Sequence, residues 1–371
     1  MVKAHKPEKN YPMRPVVFTI TTPPYGTSEY LVKIIQPKLN KNTTRLINSN
    51  SFVNDAKEWK IGSNEIQVSF DVVNLYPSVP FDEAIPVIVN ILNDGLEDLK
   101  IKTKLTVLDI HQLIELLLSK FYFLYEDKIR LLPNSGLIGL SLMVVIAEAF
   151  LQNIKKRPLN ITFVNSFHPI TYKRYVDDSH ARFDSKEKQE LFLKTLNKQN
   201  PSIKYTVELE NERKQLNFLD ISIKNTMNGI YEFQVHRKDA ITNVQIKPNS
   251  KINPSIINGV FKGFLCRAKQ ICSKKYLSQE IDFLIDIFFQ NGYLNKITQN
   301  YLDRVSKNAT TIQLDKQFVK LSWIPIIGPK FQREIRKQNI RVIFTLAPNL
   351  NNILRNNKTK LLPNSNLGVC S

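Results

Sequence analysis

The amino-acid sequence predicts an α+β fold built around a largely antiparallel sheet, and three observations lead there. The stretch "NEIQVSFDVVNLYPSVP" alternates apolar and polar residues with period two, the mark of a strand with one buried face. "ITYKRYVDDSHARF" alternates on its approach to an acidic pair, as one arm of a hairpin does. Strand-like and helix-like stretches then interleave until helical periodicity takes over near residue 255.

Composition narrows the partners. The chain has 371 residues, 42% of them hydrophobic, and 52 Lys and Arg against 33 Asp and Glu give a net charge of +19. Length suits roughly two or three packed units at about 150 residues each, and the excess of cations suits a polyanion such as nucleic acid. The longest apolar run, Gly136 to Ala147, is closed by Glu148 and falls short of the ~18 to 20 residues that cross a bilayer. It reads as a buried helix over 136–151, with no membrane partner. Three cysteines, Cys266, Cys272 and Cys370, form no C-x-x-C pair, which argues against a disulfide scaffold or a zinc site. "MVKAHKPEKNYPMRPVV" lacks the apolar core of a signal peptide, so the expected compartment is intracellular.

Taken in order, Ile66, Val68, Phe70 and Val72 form one face of the first strand, and Gln67, Ser69 and Asp71 the other, with Asp71 pointing away from the core. Pro77 and Pro80 stop it. "FDEAIPVIVNILNDG" is a helix with Gly95 beyond its end, and "TVLDIHQLIELLLSK" is another. "FYFLYEDKIRLL" makes two short strands joined at Glu126-Asp127. Asp177 and Asp178 then fall at the tip of a hairpin. "SKEKQELFLKTLNKQN" is an amphipathic helix, and "KYTVELE", "LNFLDISIKN" and "IYEFQVHRK" are strands. In "PSIINGVFKGFLCRAKQIC" the apolar residues Ile257, Val260, Phe261, Phe264, Ala268 and Ile271 turn inward, leaving Lys262, Arg267 and Lys269 to solvent. Ser278 and Gly292 bracket the next helix as caps. Residues 316 to 360 carry ten Lys and Arg against one acid, Glu334. Interleaved Phe318, Trp323, Phe331 and Phe344 favour a nucleic-acid surface over a solvated charge run.

By itself the Asp177-Asp178 pair reads either as a solvent-exposed turn, which Asp favours, or as part of a divalent-metal site, since metal ions gather carboxylates that otherwise repel. An Asp on a strand's polar face and a pair at a neighbouring hairpin tip suit the second reading. Nucleotidyl transfer with two metal ions asks little more of a protein than carboxylates held in position.

"FDVVNLY" followed by "YVDD" resembles the motif A and motif C pair of reverse transcriptases. "MRPVV", "VSFDVVNLYPSVPFDEAI", "KRYVDD", "LNFLDISI", "VHRKDAITN", "GVFKGFLCRAKQICS" and "NIRVIFTLAPNL" fall in the order seen in Penelope-like retroelements, a resemblance that covers nearly the whole chain. It implies a right-hand polymerase: partial fingers at 1–60, a palm at 61–245, a helical thumb at 246–315 and a basic C-terminal extension at 316–371. It implies an RNA-directed DNA polymerase that extends a DNA primer on an RNA template with dNTPs and two Mg²⁺ ions, Mn²⁺ being a substitute, and it places the protein in the nucleus. Asp71, Asp177 and Asp178 match the family's metal-binding aspartates. Tyr76 matches the aromatic that closes the sugar pocket against a 2′-hydroxyl, and Arg14 the fingers arginine near the triphosphate. Lys262, Arg267, Lys269, Lys330, Arg333, Arg336, Lys337 and Arg341 are the candidate nucleic-acid contacts. The departure lies in "LLPNSGLIGLSLMVV", where Gly136 and Gly139 remain, Gly139 as a substrate-side position, but the family's Gln, Ser and Pro do not align. The altered motif and short fingers leave open a degenerate element product that binds RNA or DNA without polymerising. "NLGVCS" resembles the lead into a GIY-YIG endonuclease, and the expectation is a chain without that nuclease. An unrelated two-metal phosphodiesterase has less support, as no catalytic pairing is evident among His5, His111, His168, His180 and His236.

Overall fold

The computed structural model describes residues 16–20, 22–39, 44–119, 121–125, 128–132, 136, 138–164, 167–226, 228–238, 241–248, 250, 254–293, 318–324, 327–338, 340–345 and 368–369. Arg14, the Glu126-Asp127 joint, Cys370 and the cations Lys316, Arg355, Lys358 and Lys360 lie outside the described residues. Two units are separable, residues 1–240 with 366–371, and residues 241–365.

In the first unit, α1 (Pro23–Leu39) and α2 (Ser49–Ala56) precede β1 (Ile66–Val72). Asn48 starts α2 with a capping box, its side chain accepting from the Ser51 amide while Ser51 receives the Asn48 amide. A single turn, α3 (Leu75–Ser78), leads to α4 (Phe81–Asp94), α5 (Leu96–Lys102) and α6 (Val107–Ser119). The hairpin β2 (Phe121–Tyr125) and β3 (Lys128–Leu132) is followed by α7 (Ser141–Val164), β4 (Thr171–Tyr175), β5 (Asp178–Phe183) and α8 (Lys186–Lys198). The unit continues with β6 (Tyr205–Leu209), β7 (Gln215–Phe218), β8 (Ile221–Asn225) and β9 (Tyr231–Val235), and the two-residue strand Gly368–Val369 adds in parallel to β2.

The central sheet has the order β4-β5-β1-β6, and every pairing in it is antiparallel. Its apolar face, with Phe70 and Phe183 fully buried, packs against Ile88 and Leu92 of α4, Ile146 and Phe150 of α7, and Phe192 of α8. Each such side chain contributes roughly 1.5 to 3 kcal/mol by leaving water.

Three expectations need correction here. The polar face of β1 is not open to solvent along its length: Gln67 and Ser69 are buried, and only Asp71 is exposed. The sheet β7-β8-β9 covers that face, and the Gln67 amide donates to the Lys214 and Ile223 carbonyls. "LNFLDISIKN" is two strands, not one, because the chain turns at Leu219-Asp220 between the paired Phe218 and Ile221. The apolar helix begins at Ser141 instead of 136 and runs to Val164, since Ile138 bridges Val16 and Gly139 takes φ +123, a value no helix contains.

In the second unit, α9 (Pro254–Ile271) and α10 (Lys274–Gln290) share a core of Phe261, Leu265, Ala268, Leu284, Ile287 and Phe288. The cap of α10 is Ser273, and Ser278 lies inside the helix. Gly292 ends α10 as expected, at φ +91. The Gly292 amide donates to the Phe289 carbonyl and the Tyr293 amide to the Phe288 carbonyl, a Schellman closure with the Tyr293 and Phe288 rings 5.0 Å apart. Beyond the helices, β10 (Phe318–Ser322), α11 (Ile327–Lys337) and β11 (Arg341–Thr345) form a small unit with β10 and β11 parallel. Among the described residues no helix is long and apolar enough to cross a membrane.

Candidate active site

The ladder between β1 and β5 ends with Phe70 opposite Ser179, so the next pair brings Asp71 beside Asp178. The β4–β5 hairpin closes with Tyr175 opposite Asp178, leaving Val176 and Asp177 as a two-residue turn. Val176 has φ +52 while Asp177 stays in negative φ, the sign pattern of a type II′ turn whose first position normally holds Gly. Thus Asp71 on β1, Asp178 on β5 and Asp177 in the turn lie at one end of the sheet. Asp71 is exposed, and Asp177 and Asp178 are partly buried.

Their proximity shows in the protonation of Asp178. Burial, then the charges of Asp177 and Asp71, push its carboxyl up to about 7. Among the described residues no three His, Cys, Asp or Glu side chains are gathered closely enough to hold a metal ion as they stand. The backbone brings the aspartates to one edge of the sheet. In donor type and backbone placement they fit a hard divalent cation such as Mg²⁺, which takes carboxylate oxygens and keeps several waters.

Tyr76 stands beside this edge. The strand gives way after Val72 to a tight turn with Asn74 at φ 51, and α3 then presents the half-buried phenol. Burial raises its hydroxyl pKa, and the neighbouring Asp177 charge raises it further. Gly136 is needed for this placement: a Cβ there would lie 2.0 Å from the Tyr76 carbonyl oxygen. Gly139 is constrained in a different way. At φ +123 its missing Cβ would fall 2.0 Å from the Val17 carbonyl oxygen, and the Thr19 hydroxyl donates to the Gly139 carbonyl at 2.7 Å. Gly139→Ala is therefore expected to lower stability by more than about 2 kcal/mol, from backbone strain and a clash with backbone. A thermal midpoint within 1 °C of the parent, on the order of the measurement error, would contradict this placement.

Sequence reasoning singled out neither Arg174 nor Glu148 as functional. Both side chains are buried and paired behind the turn. A charged residue ending an apolar run was the available signal.

In the second unit, Lys262 and Lys269 are exposed on one side of α9. Arg267 is a correction, being half-buried, with burial lowering its pKa and the Glu280 charge opposing that. Lys330, Arg333, Arg336 and Lys337 of α11 and Arg341 of β11 are exposed, Lys337 pairing with Glu334 at 2.8 Å. Trp323 and Phe344 are half-buried: their rings pack edge to face at 4.9 Å, with Gly328 lying close against Trp323. Phe318 and Phe331 remain exposed, and Phe318 pairs across the sheet with Arg341.

Residues 245–303 match the family of the animal helix-turn-helix domain, a match that spans α9 and α10. A comparison with curated proteins found no match. Among solved structures, telomerase from Candida albicans in complex with a fragment of telomeric RNA is similar at a TM-score of 0.51 and 8% identity, over 76% of this chain and 51% of that one. Apo telomerase from Candida tropicalis follows at 0.48 and 13% identity, over 76% of this chain and 51% of that one. The RNA-dependent RNA polymerase of bacteriophage phi12 scores 0.43 at 11% identity, over 84% of this chain and 48% of that one. The chain spans about half the length of these proteins. The likeness to the Candida albicans chain is one of fold, a mixed arrangement of helices and antiparallel sheets.

Proposed function

We propose that this chain is the polymerase part of a Penelope-like reverse transcriptase, an RNA-directed DNA polymerase that adds dNTPs to a DNA primer 3′-hydroxyl on an RNA template. The observation that carries the reading is the register that sets Asp71 beside Asp178 with Asp177 in the adjoining turn, at one end of a four-stranded antiparallel sheet. Order of motifs along the chain supports the retroelement assignment, and a nuclear site of action follows from it.

Asp71, Asp177 and Asp178 would hold two Mg²⁺ ions, which when bound stabilise charge on the attacking and leaving oxygens. The chain's own residues do the rest by position. The turn fixes Asp177, β1 fixes Asp71, and Tyr76 bounds the space beside them where a nucleotide's sugar would lie. A phenol at that place excludes a 2′-hydroxyl by volume and needs no hydrogen bond to the substrate. Tyr76→Ala should raise ribonucleotide relative to deoxynucleotide incorporation by about tenfold, corresponding to about 1.4 kcal/mol of lost discrimination. Competition between labelled CTP and dCTP measures it, and an unchanged ratio removes the gate from Tyr76.

The basic segment contributes affinity. Replacing the exposed Lys330, Arg333 and Arg336 by Gln removes three cations, each worth about 0.7 to 0.9 in the slope of log affinity against log salt. The slope for a primer-template should become shallower by about 2. Equal slopes over several salt concentrations would return the helix to an ordinary solvated surface.

A further inference from the structure

Arg174 and Glu148 make a buried ion pair between β4 and α7, with side chains 2% and 5% exposed. The guanidinium grips the carboxylate through both terminal nitrogens, Nη1 donating to Oε2 at 2.7 Å and Nη2 donating to Oε1. Gln152 donates to Oε1 at 2.7 Å, and Arg45 Nε lies 3.5 Å from the same oxygen. Burial pushes the Glu148 carboxyl up, but the hydrogen bonds and charge of Arg174 outweigh it and hold the group below its ordinary range. The Arg174 backbone is fixed as well: its amide donates to the Thr44 carbonyl at 2.8 Å, and the Leu46 amide donates to its carbonyl at 2.7 Å.

One further bond gives this pair a use. Arg174 Nη1 also donates to the carbonyl of Val176 at 2.7 Å, and Val176 is the residue whose φ of +52 is costly for a β-branched side chain. The guanidinium thus ties down a backbone conformation that this sequence disfavours, directly before Asp177. An apolar pair of equal volume would serve the fold as well as a buried salt bridge. It could not donate to the turn.

We infer that Arg174, oriented by Glu148, is a positioning residue that fixes the Val176-Asp177 turn and so holds the Asp177 carboxylate at the edge it shares with Asp71. This rests on the polymerase reading above. Arg174 itself touches no reacting atom and acts only through the turn carbonyl. The same geometry makes lysine an incomplete substitute, because a single ammonium cannot grip both carboxylate oxygens in a fork and still reach the Val176 carbonyl.

The test uses the Arg174→Met, Glu148→Met double variant, in which no buried charge is left unpaired. Mn²⁺ binding is followed by electron paramagnetic resonance, and primer extension is measured separately on the same proteins. The expected double variant is folded by circular dichroism, binds Mn²⁺ at least about tenfold more weakly, and loses about 10- to 100-fold in kcat, the scale of a small misplacement of a reacting group. Its KM for dNTP should change less than about threefold, the mark of an effect confined to the transition state. A folded double variant with the parent's Mn²⁺ affinity overturns the inference. If the double variant does not fold, Arg174→Lys takes its place and the same outcomes decide. A parent that binds Mn²⁺ through Asp71 and Asp177 yet extends no primer overturns the polymerase reading alone, and the inference is then decided by Mn²⁺ affinity. A parent that binds no Mn²⁺ overturns both.

Discussion

Asp71→Asn and Asp177→Asn are each expected to lower primer extension by roughly a thousandfold, the rate equivalent of about 4 kcal/mol of lost charge stabilisation. The expectation follows from the ladder, which sets Asp71 beside Asp178 and places Asp177 in the adjoining turn. Asn keeps the shape of Asp and can still accept one hydrogen bond, but it removes the charge that a hard cation requires. The fold should survive, because Asp71 is exposed and the substitutions relieve repulsion at Asp178. Extension by folded Asp177→Asn protein at the parent rate would remove the three aspartates from the chemistry.

The second large effect concerns stability against acid. His180 is completely buried among Phe52, Trp59, Phe218 and Tyr231, and its ring lies 4.9 Å from that of Phe52. Burial, with the Arg182 charge adding to it, lowers its pKa to about 3. Gln67 Oε1 lies 3.5 Å from Nε2, while Nδ1 has no hydrogen-bond partner among the described residues. Glu65, Glu210 and Tyr231 are titratable groups in this neighbourhood, Glu65 lying beside Arg182 and both acids acting on Tyr231. A histidine depressed in the folded state binds its proton more readily when unfolded. Its contribution is therefore complete above about pH 6.5 and is lost as pH falls from there towards 3, by up to about 4 to 5 kcal/mol. Asp178 works in the opposite direction. Its folded pKa is raised to about 7, so metal-free protein loses stability as pH rises from about 4 through 7. The two windows overlap between about pH 4 and 6.5, where their slopes oppose and largely cancel in the parent. Thermal unfolding in chelator across that range separates them: His180→Phe should lose stability as pH rises, whereas Asp178→Asn should gain it. Parallel profiles for parent and His180→Phe over this range would contradict the burial argument.

The parts of the fold that were readable before the structure are those where periodicity is local. β1, the β4–β5 hairpin, α4, α6 and α8 follow their apolar spacing, and Gly292 closes α10 where a left-handed residue was required. What escaped was set by distant neighbours. Gln67 is a polar residue on the expected open face, yet it is buried because β7 to β9, far along the chain, supply its hydrogen-bond acceptors. Glu148 was visible only as the end of an apolar run, since its partner lies on a strand 26 positions away. The turn at Leu219-Asp220 carried no turn signal because an apolar residue, Leu219 at φ 56, occupies the left-handed position usually given to Gly or Asn. Val176 does the same at the edge that carries the aspartates. There the three aspartates could be named from the residues around them, but the device that holds their turn could not, because it is assembled from β4 and α7 only after folding.

The most direct test of the account is templated extension by the purified protein. A DNA primer annealed to RNA is incubated with dNTPs and Mg²⁺, and the product is sequenced. The account predicts cDNA complementary to the template, dependent on both template and divalent cation. Absence of templated product with either Mg²⁺ or Mn²⁺, from protein shown to be folded and bound to the primer-template, would contradict it and leave a chain that holds nucleic acid without copying it.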